Sequence, residues 1–221
     1  QMALALRSST SAYVANSIAG VAVVQNDLIL VAYSYNATVD AAVEATDNAA
    51  GGSNTYNVAA EGNDPGAKGG HVFYAIAKAT ETLTITCTAK SDNGLSVHVV
   101  SGNNTALASV LDVAINGTTP NSTTHTSGNI VTTVADDYLI AFWWQEVAYP
   151  NTATENGTGF TKRTEQTGHV HHTFDRIVAA TGTYNHSMTV GTAIGYGYIL
   201  AAFKAAAGAV TPQRTLLGVG T

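Results

Sequence analysis

The sequence predicts an all-β protein: a two-sheet antiparallel sandwich of jelly-roll type, followed by an extended C-terminal tail. Three observations predict it. Period-two alternation dominates the 221 residues. Clusters of Gly, Asn and Asp recur between the alternating segments, where they supply positive φ or local side-chain hydrogen bonds. No segment sustains a helical period; the best run of helix formers, "VDAAVEA" (39–45), is too short to stand alone. About a dozen short strands at this spacing bury their apolar faces most simply as two packed sheets.

The elements follow in order. "MALALRS" (2–8), "GVAVVQ" (20–25) and "LILVAYSYN" (28–36) alternate and precede the turn cluster "DNAAGGSN" (47–54). "EGNDPGAKGG" (61–70) reads as a loop into "HVFYAIAKA" (71–79). In "TLTITCTAK" (82–90), Leu83, Ile85 and Cys87 share one face and Thr82, Thr84, Thr86 and Thr88 the other, as expected of a strand with one core side and one polar, β-branched side. "SDNG" (91–94) is a hairpin turn into "LSVHVVSG" (95–102). Beyond "INGTTPNSTT" (115–124) come "NIVTTV" (129–134), "YLIAFWWQE" (138–146), "GFTKRTEQT" (159–167), "HHTFDRIVA" (171–179), "TYNHSMTV" (183–190) and "IGYGYILAAFKA" (194–205). No linker or strong repeat interrupts them, so one domain is expected over 1–206 and a tail over 207–221.

The chain is 45% hydrophobic but only 11% charged, with net charge −6, against about 25% charged residues in a common soluble domain. Thr, Asn, Ser and Gly take the place of Lys and Glu, which gives a polar but nearly uncharged surface. Between Lys90 and Lys162 there is no Lys or Arg. Nucleic acid and anionic membrane surfaces, which need clustered cations, are therefore not expected partners. Cys87 is the only cysteine, so stability must come from the core. No apolar run reaches the roughly 18 residues of a membrane-spanning helix. "QMALALRSST" has no basic start before its short apolar run, and Met2 reads as a native first residue, so synthesis without a secretory signal is expected.

Catalytic signatures such as G-x-S-x-G, H-E-x-x-H and the P-loop are missing from the sequence. The most suggestive cluster is "GHVHHTFDR" (168–176). On a strand, His169 and His171 share a face roughly 7 Å apart, a spacing that lets two imidazoles share a zinc or copper ion. A third ligand would come from His71, His98, His125 or His186; the alternative is a polar strand face or a subunit contact. Asp175 and Arg176 read as charge-assisted anchors of a turn. Trp143 and Trp144, adjacent on a strand, face opposite sides. One belongs to the core; the other either anchors a sugar or a protein partner or is buried as well. Tyr196 and Tyr198 share a core face, with Gly195 and Gly197 on the other, open to close approach. Glu61 and Asp64 offer oxygen ligands for calcium within an otherwise ordinary loop. Six N-x-S/T triplets, at Asn36, Asn103, Asn116, Asn121, Asn156 and Asn185, arise naturally in an Asn- and Thr-rich chain.

The tail "TPQRTLLGVGT" (211–221) is apolar and carries no acid. Arg214, Leu216, Leu217 and Val219 are expected to dock on a neighbouring chain or on another part of this one, by strand addition or in a groove.

Several segments taken in order, "MALALRSSTS", "NDLILVAYSYN", "TDNAAGGSNTYNVA", "FYAIAKATETLTITCTA" and "FDRIVAATGTYNHSMTV" leading to "YILAAFKA", resemble a family of β-sandwich proteins from tailed-phage structural regions and some bacterial surface proteins. The likeness spans most of 2–205 and departs at the "AAGG" insertion in "TDNAAGGSNTY". It implies a non-enzymatic virion protein without a cofactor: a capsid decoration (cement) or head or tail appendage protein that binds neighbouring virion subunits as a homo-oligomer and assembles in the host cytoplasm. The competing expectation is an extracellular or cell-surface carbohydrate-binding or adhesive module that uses an exposed tryptophan. A hydrolase with two acids in a cleft stands further off.

Overall fold

The computed structural model describes residues 3–145, 151–166 and 171–207. His169 and the tail residues Arg214, Leu216, Leu217 and Val219 lie outside them. Among the described residues there is no helix, and every strand pairing is antiparallel. Eight strands make up the first half: β1 (Ala5–Tyr13), β2 (Ser17–Val23), β3 (Leu28–Tyr35), β4 (Ala45–Asp47), β5 (Asn57–Asn63), β6 (Gly69–Ile76), β7 (Glu81–Cys87) and β8 (Gly94–Ser101). Among the described residues of the second half there are eight more: β9 (Leu111–Thr126), β10 (Ile130–Val131), β11 (Asp137–Gln145), β12 (Ala153–Glu155), β13 (Thr161–Gln166), β14 (His171–Val178), β15 (Thr183–Tyr184) and β16 (Ser187–Lys204).

The halves repeat one another strand for strand. The first has a large sheet in the order β1-β8-β3-β6-β5 and a small sheet β2-β7-β4. The second has β9-β16-β11-β14-β13, with β10 on β15 and β12 on the first part of β16. Adding eight to each strand number of the first large sheet generates the second. Each half is thus an eight-stranded jelly roll in which the fifth strand lies beside the sixth. The sequence reading placed this span in one domain and found no strong repeat; the topology contains one.

Register makes the repeat exact at the level of residues. Leu28 pairs with Ile76 and Tyr33 with His71; Tyr138 pairs with Ile177 and Trp143 with His172. Matching β3 to β11 therefore matches His71 with His172 and Phe73 with Phe174. Asn26 and Asp136, just before the matched strands, are matched too, and both adopt positive φ (75° and 61°).

Among the described residues three cores separate four layers. One lies between the first half's two sheets, with Val31, Tyr33, Phe73, Ile85 and Leu95. One lies inside the second half, with Trp143, Phe174, Met188, Tyr196 and Leu200. The third lies between the two large sheets and joins Leu28, Leu30, Val72 and Val100 to Tyr138, Phe142, Trp144, Ile199 and Phe203. Across it β1 meets β13, β8 meets β14, β6 meets β16 and β5 meets β9. That pattern maps onto itself when the halves are exchanged, so a pseudo-twofold axis passes between β3 and β11.

The layering explains the sequence. Both faces of the large sheets are covered, so β3, β8 and β11 are buried along their whole length and read as nearly continuous apolar runs. The small sheet has one wet face, so β7 alternates: Leu83, Ile85 and Cys87 are buried and the intervening threonines are exposed or half-buried.

Candidate functional site: a directed hydrogen-bond chain between the halves

The pseudo-twofold is broken at the seam between the large sheets. On the side where β6 faces β16, Val72, Tyr74, Ile199 and Phe203 pack as hydrocarbon. On the side where β8 faces β14, polar residues occupy the inward positions. Strand alternation aims Ser96 and His98 of β8 and His171 and Thr173 of β14 into the seam, and all four are fully buried.

Their hydrogen bonds form one continuous chain. Arg163 Nε donates to Asp175 Oδ1 at 2.6 Å and the Tyr138 hydroxyl donates to Asp175 Oδ2 at 2.9 Å. A hydroxyl has one proton, so at 2.8 Å Tyr138 Oη must accept from His98 Nδ1. His98 Nε2 is then the unprotonated nitrogen and accepts from Thr173 at 2.8 Å. Thr173 accepts from Thr164 at 2.6 Å, and Thr164 from Ser96 at 3.0 Å. Ser96 accepts from His171 Nε2 at 2.7 Å, and His171 Nδ1 accepts from Ser34 at 3.0 Å. The Asp175 carboxylate, with its two donors, thereby fixes both histidine tautomers and the sense of every link.

Electrostatics agree with this assignment. Burial, then the Arg163 charge, pushes the His98 pKa down to about 3. Burial, then His172 and His98, pushes His171 down to about 3. Burial and the adjacent Asp175 carboxylate raise Tyr138 well above the usual phenol range. All three are neutral at neutral pH. At its Asp175 end the chain reaches a surface groove of about 400 Å³ lined by Leu4, Leu6, Arg163, Asp175, Arg176 and Ile177. Arg176 is held by the Thr158 carbonyl at 2.6 Å and by the Tyr184 ring. The turn anchor expected at Asp175–Arg176 thus exists, but the cation on Asp175 is Arg163.

The predicted site residues fall as follows. Both ring nitrogens of His171 are hydrogen-bonded, Nδ1 to Ser34 and Nε2 to Ser96, and the co-ligand expected at His169 lies outside the described residues. Among the described residues no group of three or more His, Cys, Asp or Glu could hold a metal ion. His71 is buried in the first half's core and His125 and His186 in the second half's core, while His98 shares the seam with His171 but is joined to it only through Thr173, Thr164 and Ser96. Trp143 and Trp144 are both buried, at 0% and 1% exposure. Trp143 Nε1 donates to His186 Nδ1 inside the second half's core; Trp144 Nε1 donates across the seam to the Lys68 carbonyl, both at 2.9 Å. Neither offers the exposed aromatic platform that was one of the two expectations for them. Asp64 uses Oδ1 to accept from Gly66 and Lys68 and so closes its own turn, while Glu61 stands 3.3 Å from His71 Nδ1. The loop's acids are therefore spent on structure rather than gathered for calcium.

Sequence reasoning missed the chain itself, and with it Ser34, Ser96, Tyr138 and Thr164. Its one visible signal was polar residues set inside otherwise apolar strands, as in "LSVHVVSG" and "HHTFDRIVA". Sequence reasoning also missed a repeated pair: Glu165 lies 3.7 Å from His172 Nδ1, matching Glu61 and His71 in the first half.

No known protein family, no curated protein and no solved structure matches this chain. The likeness to phage sandwich proteins rests on the quoted segments alone.

Proposed function

We propose that the protein is a non-enzymatic structural building block of a tailed-phage virion, a capsid decoration or head or tail appendage protein that binds neighbouring subunits. One observation carries the building-block reading: two jelly rolls are fused face to face by a seam that is apolar on one side and hydrogen-bonded without a gap on the other. Such a seam fixes the halves as one four-layered block and, among the described residues, leaves the outer small sheets, the loops and the edge strands for partners. The outer face of β7 and its neighbours is a nearly uncharged hydroxyl surface: Thr46 bonds the Thr86 carbonyl, and Thr86 bonds Ser17. The phage setting is supported by the sequence resemblance. The glycan-binding alternative has lost the exposed tryptophan that motivated it.

The test is the composition of purified virions. Mass spectrometry and immunogold labelling of particles from a host carrying this protein are expected to find it at stoichiometric copy number. Recovery only as free protein, with labelled particles bare, would remove the virion reading.

A further inference from the structure

Matching the halves strand on strand also matches Arg7 with Asp112. Each is the extra residue of a bulge: the β1–β8 register skips it between Leu6 and Ser8, and the β9–β16 register skips it between Leu111 and Val113. The same matching sets Asp27, the residue before β3, on Asp137 at the start of β11. In the first half the positions make an ion pair. Arg7 Nε donates to Asp27 Oδ1 and the Val24 N–H donates to Oδ2, both at 2.8 Å. In the second half a carboxyl replaces the guanidinium, so two acids face each other.

Their surroundings differ. Asp112 accepts from the Thr133 N–H at 2.6 Å and from the Thr133 hydroxyl, and Lys204 Nζ stands 3.3 Å from its Oδ1. Asp137 is fully buried, and neither of its oxygens has a hydrogen-bond donor. A buried carboxylate with no donor is strongly disfavoured, and two carboxylates in contact do not both ionise readily. We propose that Asp137 is held as a neutral carboxylic acid that donates its proton to Asp112, and that this shared proton is a latch on the junction of β9, β11 and β16.

The charges around the latch support it. Lys204 lies opposite Asp137 in register on β16, and Asp112 comes from β9. Val178 is its partner on β14 and brings no charge. Asp136 precedes it and adds a second negative charge. Burial, then Asp112, raises the Asp137 pKa to about 7, with Lys204 opposing. Burial also acts to raise Asp112, but Thr133 and Lys204 outweigh it and hold its pKa below the ordinary value. The folded pKa of Asp137 thus lies above its unfolded one. The stabilisation from the shared proton is fully present below the unfolded value and is lost as pH rises through about 7.

The experiment compares the full chain with Asp137→Asn by thermal unfolding from pH 6 to pH 9 at constant ionic strength, with EDTA and with added calcium. An asparagine amide donates to Asp112 but does not titrate. In EDTA the wild-type midpoint is expected to fall by several degrees across this range, relative to a flatter profile for Asp137→Asn. Equal slopes in the two proteins would overturn the latch. So would a calcium-dependent rise in the wild-type midpoint at pH 9 that Asp137→Asn lacks, since the pair would then hold a cation rather than a proton. Should Asp137→Asn fail to fold, carboxyl-carbon NMR of the wild type decides: titration near pH 7 supports the latch, and titration below pH 5 overturns it.

Discussion

His98 and His171 each accept a hydrogen bond from a hydroxyl at one ring nitrogen, His98 from Thr173 and His171 from Ser34. Protonation would turn that nitrogen into a donor facing a donor, inside a fully buried seam. Their folded pKa values lie near 3, far below the unfolded value of about 6.5. The unfolded chain therefore binds protons first, and stability is lost as pH falls below about 6.5, by roughly 1.4 kcal/mol per pH unit for each histidine until the folded pKa is reached. Burial lowers His71, His125, His172 and His186 as well, so the losses add. Steep acid destabilisation between pH 6 and pH 4 is expected in urea titrations. Replacing His98 with Gln should reduce the slope by about 1.4 kcal/mol per pH unit. An unchanged slope would mean that His98 is already protonated or exposed. This trend is opposite in sign to that of the Asp137 latch, and together the two confine greatest stability to the neutral range.

Close approach decides how the large sheets meet. Trp144 of β11 lies against Gly70 of β6 and Gly197 of β16; a Cβ on either glycine would stand 2.6 Å or 2.4 Å from the indole. The ring is pinned by its bond to Lys68, so it has little room to yield. Gly70→Ala and Gly197→Ala are each expected to cost about 1–3 kcal/mol by overpacking. Gly51→Ala has nothing within 4 Å and serves as a neutral control; similar chemical-denaturation midpoints for all three would remove the niche. Part of this element-level structure was legible in the sequence. The alternation of "TLTITC" gave β7 and its buried face, and the glycines beside Tyr196 and Tyr198 marked a close contact. At Gly197 the contact is with the Trp144 side chain; at Gly195 it is with the Pro65 and Asn121 side chains and with the backbone carbonyl of Thr119. The runs "LILVAYSY" and "YLIAFWWQ" hid more. An alternating strand has one apolar face, yet these are apolar at nearly every position because two cores flank each strand. The repeat was hidden because only scattered positions preserve it, such as His71–Phe73 and His172–Phe174.

At the scale of the molecule, each half buries one face of its large sheet on its own and the other only against its companion. A fragment ending at residue 104 would leave Leu28, Leu30, Val72 and Val100 uncovered, a continuous apolar face of the kind that drives association. Such a fragment is expected to self-associate or precipitate alone and to form a soluble one-to-one complex when co-expressed with 105–207. A monodisperse monomer by light scattering would show that the seam is dispensable. The seam was the least legible feature, since it pairs residues as far apart as Ser34 and His171 and no local pattern encodes that distance. It also sets a timetable for synthesis. The first half has all its strands once Ser101 is made, but β16, which supplies Ile199 and Phe203 to the seam, ends at Lys204. At ~5–20 residues per second the ribosome needs roughly 5–20 s to cover that interval. A first half that folds as it emerges would hold a bare apolar face throughout that interval, so a polysome would carry a row of such faces, and slow translation or a stall in the second half would lengthen their exposure to one another and to chaperones.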